Sequence, residues 1–212
     1  MQVLRLQPGD ELILFDGSGP EWRAEVTAMG RSEVRVNLIA AGQPARELAR
    51  AVTLAVVMPA NDRMDFLVEK ATELGAAALQ PLVGERSVLR LSGERADKKR
   101  AHWQGVAVAA AEQSGRTVPT RIEPVLPLAG WLAALPAPGD DEWRGLLSPR
   151  AAQPLAAFPQ RRALFLSGPE GGLSDAEEDA ARARGFAGIS LGPRILRADT
   201  APLAVLSWLA LS

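Results

Sequence analysis

The chain has 212 residues, of which 47% are apolar and 23% charged, so it can build one or two domains with a sizeable core and is not chiefly disordered. It has no cysteine and a single histidine, His102, which excludes disulfides, thiolate nucleophiles, thiolate metal sites and multi-histidine metal centres. Basic and acidic residues nearly cancel, 24 against 25, so contact with nucleic acid needs a local basic patch rather than a basic surface.

Residues 1–48 read as β. ELILFDG turns at Asp16-Gly17, and EWRAEVTAMG and SEVRVNLI alternate polar and apolar residues as half-buried strands do. The first strand looks cut short at Met1, and residues 40–50 read as a linker. From residue 51 strands and helices alternate. VTLAVVM (52–58) is a continuous apolar run, as in a strand buried on both faces. Asp62 can cap a helix carrying Met64, Leu67, Val68, Ala71 and Leu74, ended by Gly75. AALQPLV (77–83) is a second strand, and residues 93–114 form a long helix ended by Gly115. Residues 124–160 are proline-rich, with WLAAL and RGLLS as short elements. ALFLSG (163–168) is another buried strand. Ser174 and Glu177 fit the capping box of a helix running to Gly185. GISL (188–191) is a short strand, and Thr200 can cap a last apolar helix. Repeated βα units predict a parallel sheet with helices on both faces.

Three segments can carry chemistry. Ser167-Gly168-Pro169-Glu170-Gly171-Gly172 leads from a buried strand into a capped helix. Its glycines admit a ligand close to backbone, and the helix start offers free N–H donors. It is neither a dinucleotide fingerprint nor a phosphate-binding P-loop, and a tight strand–helix turn would read the same way. Leu191–Thr200 repeats the pattern with Arg194, Arg197 and Asp199 beside apolar residues; a solvated surface turn is its alternative. Residues 85–100 hold six basic against three acidic side chains, the best candidate for tracking phosphates, or else a solvated helix face. His102 stands alone and reads as a packing or surface residue.

The segments NDRMDFLVEKATELGA, ERSVLRLSGERADKKRAHWQ, AAEQSGRTVP, SGPEGGLSDAEE and LGPRILRADTAPL occur in that order. Together they closely resemble the ribosomal RNA small-subunit methyltransferase E family, within the SPOUT superfamily. The resemblance covers nearly the whole chain. It implies an α/β domain with a trefoil knot over 49–212, preceded over 1–48 by a PUA-like β-barrel that lacks the family's N-terminal segment. It also implies a homodimer, S-adenosylmethionine as methyl donor, S-adenosylhomocysteine as product, and N3 of one uridine of 16S rRNA in the small ribosomal subunit as target. No metal is implied, and a cytoplasmic location without membrane contact is expected. The chain departs from the family's usual pattern at Ala60, Asn61 and Asp199, the last standing where glutamate is usual.

By the same resemblance, Leu166, Ser167, Gly168, Glu170, Gly171 and Gly172 hold the cofactor from one side. Leu191, Gly192, Ile195, Leu196, Arg197 and Thr200 hold it from the other, with residues 164–167 as a wall. Arg86, Arg90, Lys98, Lys99 and Arg116 would face RNA. Uridine N3 carries a proton and is a poor nucleophile, so a cation near uracil O2 or O4 should stabilise the imide anion. Arg197 is the preferred candidate, with Arg194 second. Glu170 is a candidate base, in competition with Asp199. A structural ion pair of Arg197 with Asp199 or Glu170 is the rival account. The alternatives to this function are a related methyltransferase acting on another base and a non-catalytic RNA-binding assembly factor.

Overall fold

Alternation along a single strand separates the two cores of the larger fold unit. In β4 (Ala51–Val57), Val52, Leu54 and Val56 point into one cluster, and Ala55 and Val57 into another. Every one of these side chains is fully buried, which explains the continuous apolar run. The computed structural model describes residues 6–60, 63–151 and 153–211. The expected cap at Asp62 and the cut first strand at Met1 lie outside the described residues.

The chain divides into two compact units, residues 1–47 with 115–118, and residues 48–114 with 119–212. The first is an antiparallel sheet of β1 (Glu11–Phe15), β2 (Glu21–Met29) and β3 (Val34–Gly42), in that order. Strand β3 runs through Gly42, so the expected linker begins later. Ala40, Ala41 and Gly42 pair with Arg23, Trp22 and Glu21; their small side chains carry no alternation to read. The 115–118 segment belongs here because Arg46 binds both Glu21 (2.7 Å) and the Gly115 carbonyl (2.8 Å), and Thr117 donates to the Gly19 carbonyl at 2.6 Å.

The second unit is a parallel sheet in the order β10-β8-β9-β4-β5-β6, with the short β7 also pairing with β5. Its further strands are β5 (Ala78–Val83), β6 (Arg121–Ile122), β7 (Leu126–Pro127), β8 (Glu142–Leu147), β9 (Arg162–Ser167) and β10 (Ala187–Ile189). The helices α1 (Arg63–Glu73), α2 (Gly93–Ser114) and α5 (Thr200–Leu211) cover the first core through residues such as Leu67, Trp103 and Leu206. The helices α3 (Leu128–Ala134) and α4 (Asp175–Ala183) cover the other through Leu132 and Ala181. Large fully buried side chains such as Leu54, Met64 and Phe165 each stabilise by about 1.5–3 kcal/mol.

Local signals fix the helix ends. Ser174 and Glu177 form the expected capping box, which contributes about 1 kcal/mol. Gly75 takes a positive φ, and Leu48 lies 2.7 Å from where its Cβ would stand, so only glycine fits there. RGLLS, expected as a short element of unassigned type within the proline-rich stretch, belongs to strand β8. It is a central strand between β9 and β10. The signal was hidden because Arg144 is buried in it, paired with Glu142 and donating to the Arg184 carbonyl at 2.7 Å.

Candidate active site

Three spatially adjacent strands, β10, β8 and β9, end side by side, and the loops after them line one cavity of about 530 Å³. That is the carboxyl edge of a parallel sheet, where such folds bind ligands, and the volume suits a small molecule. The β9 loop contributes Ser167 to Leu173, the β10 loop Leu191 to Ala198, and the β8 end Leu147 to Arg150. The first two are the expected ligand loops. The β8 wall was missed, because nothing in Leu-Leu-Ser-Pro-Arg marks it until the strand order is known.

The β9 loop is a cradle that side chains would fill. A Cβ on Gly168 would lie 2.9 Å from the Leu173 nitrogen and 3.0 Å from the Gly172 carbonyl carbon. Gly172 has φ +66°, a conformation glycine adopts without strain. Ser167, 3% exposed, lines the cavity, and its hydroxyl has no hydrogen-bond partner among the described residues. A buried polar atom of that kind is normally satisfied, so it suits a ligand with a polar group there. Arg86 grips the loop from behind, donating to the carbonyls of Gly171 (2.9 Å) and Leu173 (3.3 Å). Glu170 accepts from the Ala60 N–H at 3.1 Å.

The β8 wall is also braced. Glu178, 4% exposed on α4, accepts from Ser148 Oγ at 2.9 Å and from Arg150 and Arg182 at 2.7 Å each; Arg150 also pairs with Asp175. Burial pushes the Glu178 carboxyl up, but the hydrogen bonds from Arg150, Ser148 and Arg182 outweigh it and hold it below the usual range.

Among the described residues four arginines therefore line the cavity, and two are spoken for. The side chains of Arg194 and Arg197 have no hydrogen bond or ion pair among the described residues, and both residues are exposed. The rival pairing of Arg197 does not form. Asp199 is 9% exposed and meets Arg63 at 3.4 Å, while Glu170 is turned to Ala60.

The expected cofactor residues converge, with two exceptions. Leu166 is fully buried in the core, as strand alternation next to Ser167 requires, and Leu164 lies in that core with it. Thr200 is the first residue of α5 and is not on the cavity wall. The expected RNA residues scatter. Lys98 and Lys99 are exposed on α2. Arg90 is exposed and donates to the Glu85 carbonyl at 2.9 Å, and Arg86 serves the β9 loop. Arg116 departs from its expected role: it is 3% exposed and bound to Glu47 within the first unit, so its charge is not presented to a polyanion. His102 is not alone either. Its Nε2 lies 2.7 Å from Asp65, which also accepts from Trp103 Nε1 at 2.9 Å.

Residues 46–210 match the RNA methyltransferase domain family, and residues 1–39 match the RNA methyltransferase PUA domain family. The chain is 33% identical over 215 residues to the ribosomal RNA small subunit methyltransferase E of Bacillus subtilis, covering 98% of this chain and 84% of that protein. The chain belongs to the ribosomal RNA small subunit methyltransferase E family. A Synechocystis member is 35% identical over 97% of this chain and 67% of its own length. A Neisseria gonorrhoeae member, bound to S-adenosyl methionine, superposes with a TM-score of 0.91 at 32% identity, covering 99% of this chain and 86% of that one. A putative methyltransferase of Legionella pneumophila, also with that cofactor, gives 0.89 at 29%, with the same coverage. As a member of this methyltransferase family the chain is an RNA methyltransferase, and the cavity at β8, β9 and β10 is its candidate active site. No helix among the described residues is long and apolar enough to cross a membrane.

Proposed function

We propose that this chain methylates N3 of one uridine in 16S rRNA of the small ribosomal subunit, in the cytoplasm, using S-adenosylmethionine held between the loops after β8, β9 and β10. The observation that carries the reading is the cradle itself. It has an unpartnered buried Ser167 hydroxyl, a Gly168 with no room for a Cβ, and two unpaired arginines facing the same cavity. Ser167, Gly168, Gly171, Gly172 and the backbone of Leu191 to Leu196 would hold the cofactor, which supplies an electrophilic methyl group when bound.

Uridine N3 must lose its proton while O2 and O4 gain negative charge. Arg197, exposed and with no side-chain partner among the described residues, would stabilise that charge, with Arg194 as the second candidate on the same cavity; a fixed cation in such a site is worth about 10²–10³ in rate. Glu170 keeps one carboxylate oxygen outside its bond to Ala60 and is the candidate proton acceptor. Arg90, Lys98 and Lys99 would track RNA phosphates in the second unit, and residues 1–48 would form the PUA-like RNA-binding domain ahead of the methyltransferase domain at 49–212. We further propose a trefoil knot in the second unit. A homodimer through α1 and α5 fits the exposure of Phe66 and Leu211 on two helices that pack together.

Nucleoside mass spectrometry of small-subunit RNA, after incubation with labelled S-adenosylmethionine, tests the reading. New 3-methyluridine is expected. A labelled nucleoside of another identity would reassign the base, and cofactor binding without any label would remove the proposed substrate.

A further inference from the structure

Arg197 is two residues from a carboxylate, Asp199, yet has no ion pair among the described residues. The reason lies on another element. Arg63, at the start of α1, places Nη1 3.4 Å from Asp199 Oδ2. Thr200 Oγ1 lies 3.4 Å from the other oxygen, Oδ1. Both Asp199 oxygens are thus engaged, by two residues that do not line the cavity. The Arg197 carbonyl accepts from the N–H groups of Thr200 (3.0 Å) and Ala201 (3.1 Å). The turn carrying Arg197 is thereby locked to the start of α5, with Asp199 inside it.

We propose that Arg63 is a positioning residue for methyl transfer: by occupying Asp199 it keeps that carboxylate from capturing Arg197 and leaves the Arg197 guanidinium free for the substrate anion. The physical choice is between two arginines for one nearly buried carboxylate. Asp199 without a partner would be costly, and Arg197 is the nearest cation of its own loop. A pair formed there would neutralise the charge that the anion needs. The inference rests on the role given to Arg197 above.

The experiment is single-turnover methylation and cofactor titration on four variants: R63A, R197A, R63A/R197A and R63A/D199N. The rate in R63A should fall on the order of 100-fold, as in R197A, the size expected for losing one charge-stabilising group. Cofactor affinity should stay within about threefold, a change of under 1 kcal/mol. R63A/R197A should be no slower than R197A, because the two changes remove the same interaction. R63A/D199N should regain at least about tenfold over R63A, since no carboxylate remains to take Arg197. A structural role for Arg63 would give no such recovery, because D199N removes a second partner. Wild-type rates in R63A, or no recovery in R63A/D199N, would overturn the inference. Wild-type rates in R197A would instead sink the role of Arg197 itself. Should R63A fail to fold, R63Q carries the same comparisons, and R63K should lie closer to wild type than R63Q.

Discussion

The loop after β9 and the loop after β10 face one cavity but are held in opposite ways. In the first, Arg86 grips two carbonyls, Glu170 is tied to Ala60, and Ser174 closes the following helix with its capping box. In the second, Arg194, Ile195 and Arg197 stand exposed, Ile195 at 86%, and its one carboxylate, Asp199, is engaged by Arg63. On the proposed function, the contrast separates two tasks. A braced loop without side chains in the way offers backbone and one hydroxyl to a ligand whose shape is fixed. A loop with unpaired cations keeps its charge for a group that becomes anionic only during reaction.

The sharpest way to break this comparison is to fill the braced loop. G168A puts a Cβ against backbone atoms at 2.9 and 3.0 Å, so the cradle must open. Cofactor affinity by calorimetry should fall about 100-fold or more, near 3 kcal/mol. Wild-type affinity would mean that the cradle is not the cofactor site. Next, R86A and R197A should separate. Removing Arg86 frees the carbonyls of Gly171 and Leu173 and should raise the cofactor Kd about tenfold, by loss of charge-assisted hydrogen bonds. Removing Arg197 should spare that Kd and lower the rate of methylation. If both variants moved the same parameter, the division of labour would be wrong.

A smaller effect tests the bracing of the β8 wall. Glu178 has its carboxyl held below the usual range, so its stabilisation is complete above the unfolded value, about pH 4, and is lost as pH falls through the folded one. E178Q should lower stability at pH 7 by about 1–3 kcal/mol and flatten the acid limb of stability measured between pH 7 and pH 3. An unchanged acid limb would shift that dependence to other carboxylates. The smallest expected effect lies outside the cavity. K98A and K99A should each reduce the salt slope of RNA binding by about 1 and leave base preference unchanged; an unaltered slope would remove α2 from the RNA track.

Much of the fold and of the cavity is legible in the amino-acid order. The runs at 52–58 and 163–168 announce buried parallel strands, and the glycines after Ser167 mark a loop that lines the cavity. Ser174 with Glu177 marks a helix start that the structure forms. What stays hidden depends on tertiary placement. Strand β8 hides behind its buried Arg144–Glu142 pair, and its role as a cavity wall follows only from lying between β9 and β10. Arg86 and Arg116 look alike as basic residues; one holds the loop after β9 and the other is buried on Glu47. Composition counts charges but does not say which have partners. That is why Arg194 and Arg197 emerge as the available pair only once Arg63, Arg86 and Arg150 are seen to be committed.

The order of β10, β8 and β9 carries a last consequence, one of timing. The cavity's three walls lie near residues 148, 170 and 195, so no partial chain can enclose a ligand until its final strand has joined the sheet. Ligand binding therefore reports completion of the fold. A ligand that binds only the finished form also stabilises it, by about 2.7 kcal/mol at a hundredfold excess over its Kd. In a cell well supplied with methyl donor, newly made chains would be drawn through their last assembly step by the same molecule they go on to consume.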